Sequence, residues 1–256
     1  MRSIDAHWLG RMPYQKAHSL QLALVNARKQ GLIENTLLLL EHEPVITLGR
    51  GADPAHVRIS DEMRACLGVE RYETGRGGGV TYHGPGQLIA YPIFDLKPNH
   101  CDVRQYVQNL AKVMVLLAGH YGICAKSLQE PKRIGVWIDR NSPFEWGQMQ
   151  AYEHRLAKLG SIGIRLSHWI TMHGFSFNVA PDLQAFDWIV PCGISNLDVT
   201  SLANVGISTP SLECLAEISL PCFEQVFEAP VRYADVLETQ ALYQHVLPSE
   251  EAEVGL

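Results

Sequence analysis

The densest set of residues able to do chemistry lies in a glycine-rich stretch, residues 74–87, which reads TGRGGGVTYHGPGQ. Glycines let backbone amides approach a ligand that any Cβ would keep away. The stretch lacks the Lys-Ser/Thr ending of a nucleotide P-loop and the glycine order of a dinucleotide-binding turn. The arginine, threonine, tyrosine and histidine between the glycines favour a ligand-binding loop; a glycine-rich hairpin without a ligand is the alternative.

A candidate nucleophile is Cys192, which stands between Pro191 and Gly193. Two backbone-bending neighbours predict a tight turn that presents the thiol. A cysteine becomes nucleophilic only when a nearby cation or base lowers its thiol pKa. The spacing alone does not choose among four candidates for that partner: Lys158, His83, His168 and His173.

Lys158 lies in the apolar, glycine-rich stretch 157–163, which is unusual for a solvated lysine. Burial there would lower its pKa and make it a proton acceptor; a solvent-exposed surface charge is the alternative. His173, which precedes an alternating strand pattern, fits a hydrogen-bonded core histidine equally well. The histidines and cysteines form no HExxH motif and no paired zinc-ligand spacing, so no metal site is predicted, and no GxSxG elbow indicates a serine hydrolase.

The six cysteines contain no CxxC pair, which predicts reduced thiols. Because a free cysteine usually packs as a small hydrophobe, we expect most of them to be buried and inert.

The 256 residues carry 21 Lys and Arg against 27 Asp and Glu, a net charge of −6 that excludes nucleic-acid binding by bulk charge. No apolar run is long enough to cross a bilayer, so no membrane association is predicted. The N-terminal residues resemble neither a signal peptide nor a transit peptide, and we expect a cytoplasmic location.

Hydrophobic periodicity predicts an alternation of helices and strands. The helices are expected at residues 14–27, 103–117 and 212–227, and the strands at residues 37–40, 45–48, 135–139, 162–166 and 175–179. Asp102 is the predicted N-cap of the second helix. The last two strands alternate apolar and polar residues and are expected to be half-buried. This pattern predicts one α+β domain over residues 1–256, with a mainly helical C-terminal region from about residue 205.

Taken together, these stretches resemble the lipoyl(octanoyl)-protein transferase family, the octanoyltransferases of protein lipoylation. The resemblance runs through residues 42–50 (HEPVITLGR), 76–92 (RGGGVTYHGPGQLIAYP), 135–137 (GVW), 158–165 (KLGSIGIR), 173–179 (HGFSFNV) and 191–193 (PCG). Residues 76–88 are the most specific part. The stretch 140–154 is longer and more aromatic than in the compact family pattern.

The resemblance implies a mixed β-sheet flanked by helices, the fold of the biotin and lipoate protein ligases. It places the acyl-thioester cysteine on Cys192 and the lysine that lowers its pKa on Lys158. The implied acyl-binding residues are Arg76, Gly77, Gly78, Gly79, Val80, Thr81, Tyr82, His83, Ser161, Ile162, Gly163, His173, Gly174 and Phe175.

The implied reaction moves an octanoyl group from acyl carrier protein, through a cysteine thioester, to a lysine of a lipoyl domain. The implied acceptors are the lipoyl domains of 2-oxoacid dehydrogenases and the glycine cleavage H protein. No cofactor of its own is implied, because the donor protein carries the octanoyl-phosphopantetheine. Docking of these acidic partners would need a basic face, for which Arg50, Arg76, Arg165 and the pair Lys132 and Arg133 are candidates.

Two other functions fit the same residues. An ATP-dependent lipoate or biotin ligase would need no nucleophilic cysteine. A non-catalytic module that binds acyl groups or carrier proteins would leave Cys192 with ordinary thiol reactivity.

Overall fold

The computed structural model describes residues 3–128, 130, 133–145, 156–191 and 198–247. Twelve strands and five α-helices lie in these ranges. The strands are β1 (Ile4–Met12), β2 (Asn35–His42), β3 (Val45–Leu48), β4 (Glu70–Glu73), β5 (Val80–His83), β6 (Gln87–Ile93), β7 (Lys126–Leu128), β8 (Gly135–Asp139), β9 (Leu156–Ser167), β10 (Ile170–Asn178), β11 (Asp198–Val199) and β12 (Val231–Tyr233). The helices are α1 (Tyr14–Lys29), α2 (Asp61–Cys66), α3 (Val103–His120), α4 (Leu212–Phe227) and α5 (Val236–Val246).

The strands form two sheets in the described ranges. The large sheet has the order β12-β1-β2-β6-β10-β9-β8-β7, and β11 pairs with β9. Its strands run in both directions: β1 is parallel to β2, whereas β10 is antiparallel to β6 and β9. The small sheet has the order β4-β3-β5. A mixed sheet with helices on both faces confirms the predicted fold class.

Two apolar layers cover the large sheet. On one face, α3 and α4 pack with residues such as Leu110, Met114 and Phe223 onto Phe175 and Phe177 of β10. On the other face, α1 packs with Leu20 and Leu24 onto Met172 and its neighbours. The central strands are therefore buried on both faces. The prediction of a half-buried strand at β10 is wrong, because all nine of its residues are buried.

The sequence signals place the main elements well. Helix α1 follows Pro13, α4 occupies the predicted residues 212–227, and the side chain of Asp102 caps α3 by accepting from the amides of Arg104 and Gln105. The C-terminal residues contribute β12, which pairs in parallel with β1. The single-domain assignment stays a prediction. Within the described residues, no helix is both long and apolar enough to cross a membrane.

The expectation that most cysteines are buried is wrong. Cys66, Cys101, Cys124 and Cys214 are exposed, and Cys222 is partly buried. The four exposed thiols lie at helix ends or in connecting loops, where no second layer of structure covers them.

Candidate active site

A pocket opens between the strands β9 and β10 of the large sheet and the glycine-rich loop that leads into β5. It holds about 730 Å³ of space, which includes solvent at its mouth. Helix α1 contributes Tyr14, and Phe186, Pro191 and Val199 of β11 also line the pocket. The resemblance and the geometry therefore converge on one cavity.

The glycine-rich loop is held in place by the Arg76 guanidinium. Its Nη2 donates to the Thr47 carbonyl oxygen at 2.7 Å, its Nε donates to Thr47 Oγ1 at 3.1 Å, and its Nη1 donates to the Gly77 carbonyl oxygen at 3.0 Å. The Gly77 amide donates to the Ile164 carbonyl oxygen of β9 at 2.8 Å. Arg76 thus ties the loop to β3, and Gly77 ties it to the large sheet.

Because Arg76 is buried, it is not available to a docking protein, and its assignment to a basic docking face is wrong. Arg50 and Arg165 are exposed, as expected of docking residues. Lys132 lies outside the described residues, and Arg133 is partly buried.

Lys158 enters the pocket from β9. Only 4% of the residue is exposed, so of the two alternatives that the sequence left open for this lysine the structure shows the buried one. Its Nζ lies 5.3 Å from the centroid of the Trp137 ring, and its carbonyl oxygen accepts from the Thr200 amide at 3.0 Å. Val199 of β11, which also lines the pocket, pairs with Lys158 across the strands.

Cys192 lies outside the described residues, as do residues 193–197. The residues on either side of this segment are described. Pro191 lines the pocket directly before Cys192, and Val199 lines it shortly after. Both therefore share the pocket with Lys158.

His83 belongs to a buried chain of hydrogen bonds. Its Nδ1 donates to Gln87 Oε1 at 3.2 Å, Gln87 Nε2 donates to Asn178 Oδ1 at 3.0 Å, and Asn178 Nδ2 donates to the Thr200 carbonyl oxygen at 2.9 Å. The side-chain nitrogens of Gln87 and Asn178 both donate in this chain, so Gln87 Oε1 can only accept. His83 Nδ1 therefore carries the ring proton, and Nε2 of the neutral ring carries none. Burial and the neighbouring His42 lower the pKa of His83 well below its usual value.

His173 lies at the start of the pocket wall on β10, with a left-handed backbone (φ 59°). The Gln21 side chain of α1 holds this conformation, because its Oε1 accepts from the His173 amide at 2.8 Å. Burial lowers the pKa of His173 to about 3, with His18 as the next cause. Like His83, His173 is therefore neutral at physiological pH.

His168, the fourth candidate partner of the cysteine, is not near the pocket. It forms, with Trp169, the two-residue turn between β9 and β10, and both residues have positive φ (54° and 67°), as in a type I′ hairpin. His168 is exposed, and its Nδ1 lies 3.1 Å from Ser167 Oγ. Lys158, His83 and His173 remain as the candidates inside the pocket.

Small residues on β9 and β10 form a slot beside Lys158. The slot includes the register pairs Ser161 with Ser176 and Gly163 with Gly174. A Cβ on Gly174 would collide with the Ala90 carbonyl oxygen and come within 2.7 Å of Pro92 Cδ, and a Cβ on Gly163 would come within 3.1 Å of the Gly77 carbonyl oxygen. A side chain at position 174 would therefore displace the backbone of β6, and one at position 163 would press on the glycine-rich loop.

The structure brings most of the predicted acyl-binding residues to this pocket. The following predicted residues line it: Arg76, Gly78, Gly79, Val80, Thr81, His83, Ser161, Ile162, Gly163, His173, Gly174 and Phe175. Gly77 and Tyr82 do not line it. Gly77 bonds to β9 as described, and the Tyr82 ring packs edge-on against Phe186 and Trp188 in the core of the small sheet.

Sequence reasoning missed four polar residues of the wall: Tyr14, Thr47, Tyr91 and Ser176. Thr47, Tyr91 and Ser176 lie within stretches that carry the resemblance, which is a usable signal. Tyr14 belongs to the stripe of α1, whose periodicity indicates only a buried face. His42, whose Nε2 accepts from Tyr91 Oη at 2.8 Å, lies behind this wall.

Comparison with known proteins places the chain in a defined group. The catalytic-domain model of the lipoyl protein ligase A/B family matches residues 13–224. An octanoyltransferase of Chloroflexus aurantiacus is 41% identical over 228 residues, which cover 89% of this chain and 95% of that protein. An octanoyltransferase of Koribacter versatilis is 38% identical over 247 residues, 96% of this chain and 92% of that protein. The octanoyltransferase of Myxococcus xanthus is 42% identical over 214 residues, 83% of this chain but only 57% of that longer protein.

Solved structures support the fold. A crystal structure of lipoate-protein ligase A bound with ATP has a TM-score of 0.69 at 11% identity and covers 95% of this chain and 94% of that one. A T. acidophilum protein with bound lipoic acid has a TM-score of 0.67 at 11% identity, and the match covers 98% of this chain and 99% of that one. At such low identity the likeness shows a shared fold.

Proposed function

Because this chain belongs to the lipoyl protein ligase A/B catalytic domain family, we propose that it is an octanoyltransferase acting through a Cys192 thioester, with Lys158 as the proton carrier. Relatives named octanoyltransferase at about 40% identity over most of the chain support the activity. The observation that carries the proposed mechanism is the burial of Lys158 in the same pocket as Pro191, to which Cys192 is joined by a peptide bond.

The first half-reaction loads the enzyme. Lys158 Nζ takes the proton of the Cys192 thiol, and the thiolate attacks the carbonyl carbon of the octanoyl thioester. The bond from that carbon to the donor sulfur breaks, and the departing thiol recovers the proton from the Lys158 ammonium. One thioester replaces another, so this step is close to isoenergetic.

The second half-reaction delivers the acyl group. The amine of the acceptor lysine attacks the Cys192 thioester, Lys158 Nζ accepts a proton from the attacking nitrogen, and Cys192 leaves and is reprotonated. An amide replaces a thioester, so this step runs downhill. The two steps together need no ATP.

The slot beside Lys158 supplies the preference for a medium-length chain. Burial of seven carbons beyond the carbonyl contributes about 5 kcal/mol, at about 0.8 kcal/mol for each methylene. An acetyl group gains little of this. We expect the glycine and serine residues of the slot to leave room for an unbranched acyl chain beside Lys158.

The proposed donor is octanoyl acyl carrier protein, whose phosphopantetheine makes a separate cofactor unnecessary. The proposed acceptors are the lipoyl domains of 2-oxoacid dehydrogenases and the glycine cleavage H protein. A cytoplasmic location agrees with a mechanism that requires Cys192 to be reduced, and cell fractionation tests it.

The mechanism is tested by intact-protein mass spectrometry after mixing with octanoyl acyl carrier protein. We expect the native chain to gain one octanoyl group and Cys192→Ser to gain none. Cys124→Ser, which removes an exposed thiol, is the matched control and should load normally. Loading of Cys192→Ser at the native rate, or transfer that survives this substitution when ATP and free octanoate are supplied, would show that the proposed thioester is wrong.

A further inference from the structure

The GVW triplet, residues 135–137, carries part of the family resemblance but has no role in the proposed mechanism. Trp137 does not line the pocket, but its ring lies 5.3 Å from Lys158 Nζ. This distance falls within the range of about 6 Å in which an ammonium is attracted to an aromatic face. Trp137 and Lys158 are both almost completely buried, with 3% and 4% exposed.

A β-bulge produces this contact. Val136 of β8 pairs with Gly160, and the next residue, Trp137, pairs with Lys158 rather than with Leu159. Two residues of β9 therefore oppose one residue of β8, and Trp137 becomes the direct cross-strand neighbour of the lysine. A regular register would place Trp137 opposite Leu159. Bulges beside active sites commonly redirect one side chain in this way.

Gly135 leaves the space through which the lysine side chain passes. A Cβ at this position would come within 2.7 Å of Lys158 Cε and within 2.5 Å of the Gly160 carbonyl oxygen. The backbone of Gly135 also has a φ of +144°, which L-residues rarely adopt. The orientation of the Trp137 ring is fixed separately, since its Nε1 donates to the Arg133 carbonyl oxygen at 2.8 Å.

We propose that Trp137 is a positioning residue for octanoyl transfer: its ring holds the Lys158 ammonium in place and stabilises its charge, and Gly135 makes room for the lysine stem. This inference rests on the proposed role of Lys158. Burial disfavours the ammonium, whereas the proposed mechanism requires Lys158 to hold a proton between two thiols. The electron-rich ring face offsets part of that cost.

The test compares Trp137→Phe with Trp137→Leu. The readout is the rate at which octanoyl-pantetheine loads Cys192, followed by rapid quench and intact-protein mass spectrometry. We expect Trp137→Leu to slow loading by about 10- to 30-fold, the value of a buried cation–π contact of up to about 2 kcal/mol, with little change in KM. Trp137→Phe keeps an aromatic face and should recover most of the rate, although it loses the bond to Arg133.

Two controls separate positioning from general packing. Val136→Ala truncates the neighbouring buried residue, which packs in the core beneath α3, and should lower stability in urea without slowing loading. In the Lys158→Met background, Trp137→Leu should cause no further loss, because a residue that acts only through Lys158 has nothing left to act upon.

Equal losses in the Phe and Leu variants, or a full additional loss in the Lys158→Met background, would overturn the assignment to Trp137. A native rate in Trp137→Leu combined with slow loading in Lys158→Met would also overturn it and leave the proposed function intact. A native rate in Lys158→Met would refute the role of the lysine itself and, with it, the role of Trp137.

Discussion

Three buried histidines, His42, His83 and His173, lie in or directly behind the pocket wall, and burial keeps their rings neutral. His42 is fully buried, and its Nδ1 donates to the Met12 carbonyl oxygen at 3.1 Å. This bond fixes the tautomer in which Nε2 accepts from Tyr91 Oη. Burial lowers the pKa of His42 to about 4 and that of His173 to about 3. These rings act as fixed neutral dipoles near the slot.

Neutral buried histidines make the fold sensitive to acid. In the unfolded chain a histidine has a pKa of about 6.5. As the pH falls below this value, the unfolded state binds protons and the folded state does not, so the free energy of unfolding decreases. The stability due to His42 is therefore complete above about pH 6.5 and is lost as the pH falls toward about 4, at a cost of about 3 kcal/mol.

Urea unfolding at several pH values measures this loss. We expect the free energy of unfolding to be constant above pH 7 and to fall steeply between about pH 6.5 and 4. His42→Gln should lower stability at neutral pH and flatten the slope in acid, whereas His100→Gln, at an exposed position, should leave the slope unchanged. A slope that His42→Gln does not alter would contradict this account.

At the scale of elements, the pair β9 and β10 carries most of the site. These strands supply Lys158, the small residues of the slot and His173, and helices pack on both faces of the sheet to which they belong. Such central strands leave no room for extra atoms, which is why glycine occurs at several of their register positions.

Gly174→Ala should therefore destabilise the protein by about 1–3 kcal/mol, because the new methyl group meets the backbone of β6. It should also weaken binding of the octanoyl chain. Gly119→Ala, in α3, is the matched control: apart from the helix's own backbone, nothing lies within 4 Å of its added Cβ, and alanine should stabilise the helix by about 0.5 kcal/mol. Thermal unfolding and KM measurements check both predictions. If Gly174→Ala leaves the thermal stability unchanged, β10 and β6 can move apart at this position.

Across the whole molecule, charge opposes the approach of acidic partners. The net charge is −6, so a carrier protein that is also acidic is repelled on average and needs a local basic surface. Arg165 packs against Gly75, and the amide of Arg50 donates to the Arg76 carbonyl oxygen at 3.0 Å. Both exposed arginines therefore flank the glycine-rich loop at the pocket.

Charge reversal tests this surface. Arg50→Glu and Arg165→Glu should each raise the KM for octanoyl acyl carrier protein by roughly 3- to 10-fold, as expected for exposed charge pairs, and high salt should reduce the difference. KM for octanoyl-pantetheine should not change. Arg104→Glu, at an exposed arginine in the first turn of α3 that does not line the pocket, is the control. An equal rise in KM for both donors would place the arginines in acyl binding instead of docking.

The sequence by itself determined the local helices and strands and the candidate residues for chemistry. The stripe of α3, its cap at Asp102 and the extent of α4 are encoded by neighbours a few residues apart, so periodicity predicts them. The apolar surroundings of Lys158 made burial one of two alternatives, and the structure shows that the residue is buried. The cysteines were the exception, since exposure of a thiol at a helix end depends on what distant residues cover it.

Only the tertiary structure decided which candidates meet. It brings Lys158, His83 and His173 to one pocket, leaves His168 on an exposed turn, and adds Tyr14 and Tyr91 from distant elements. It also decides the bulge that sets Trp137 beside the lysine. Strand order and the position of this bulge depend on contacts between segments far apart in the chain, and the spacing of residues within one segment does not specify them.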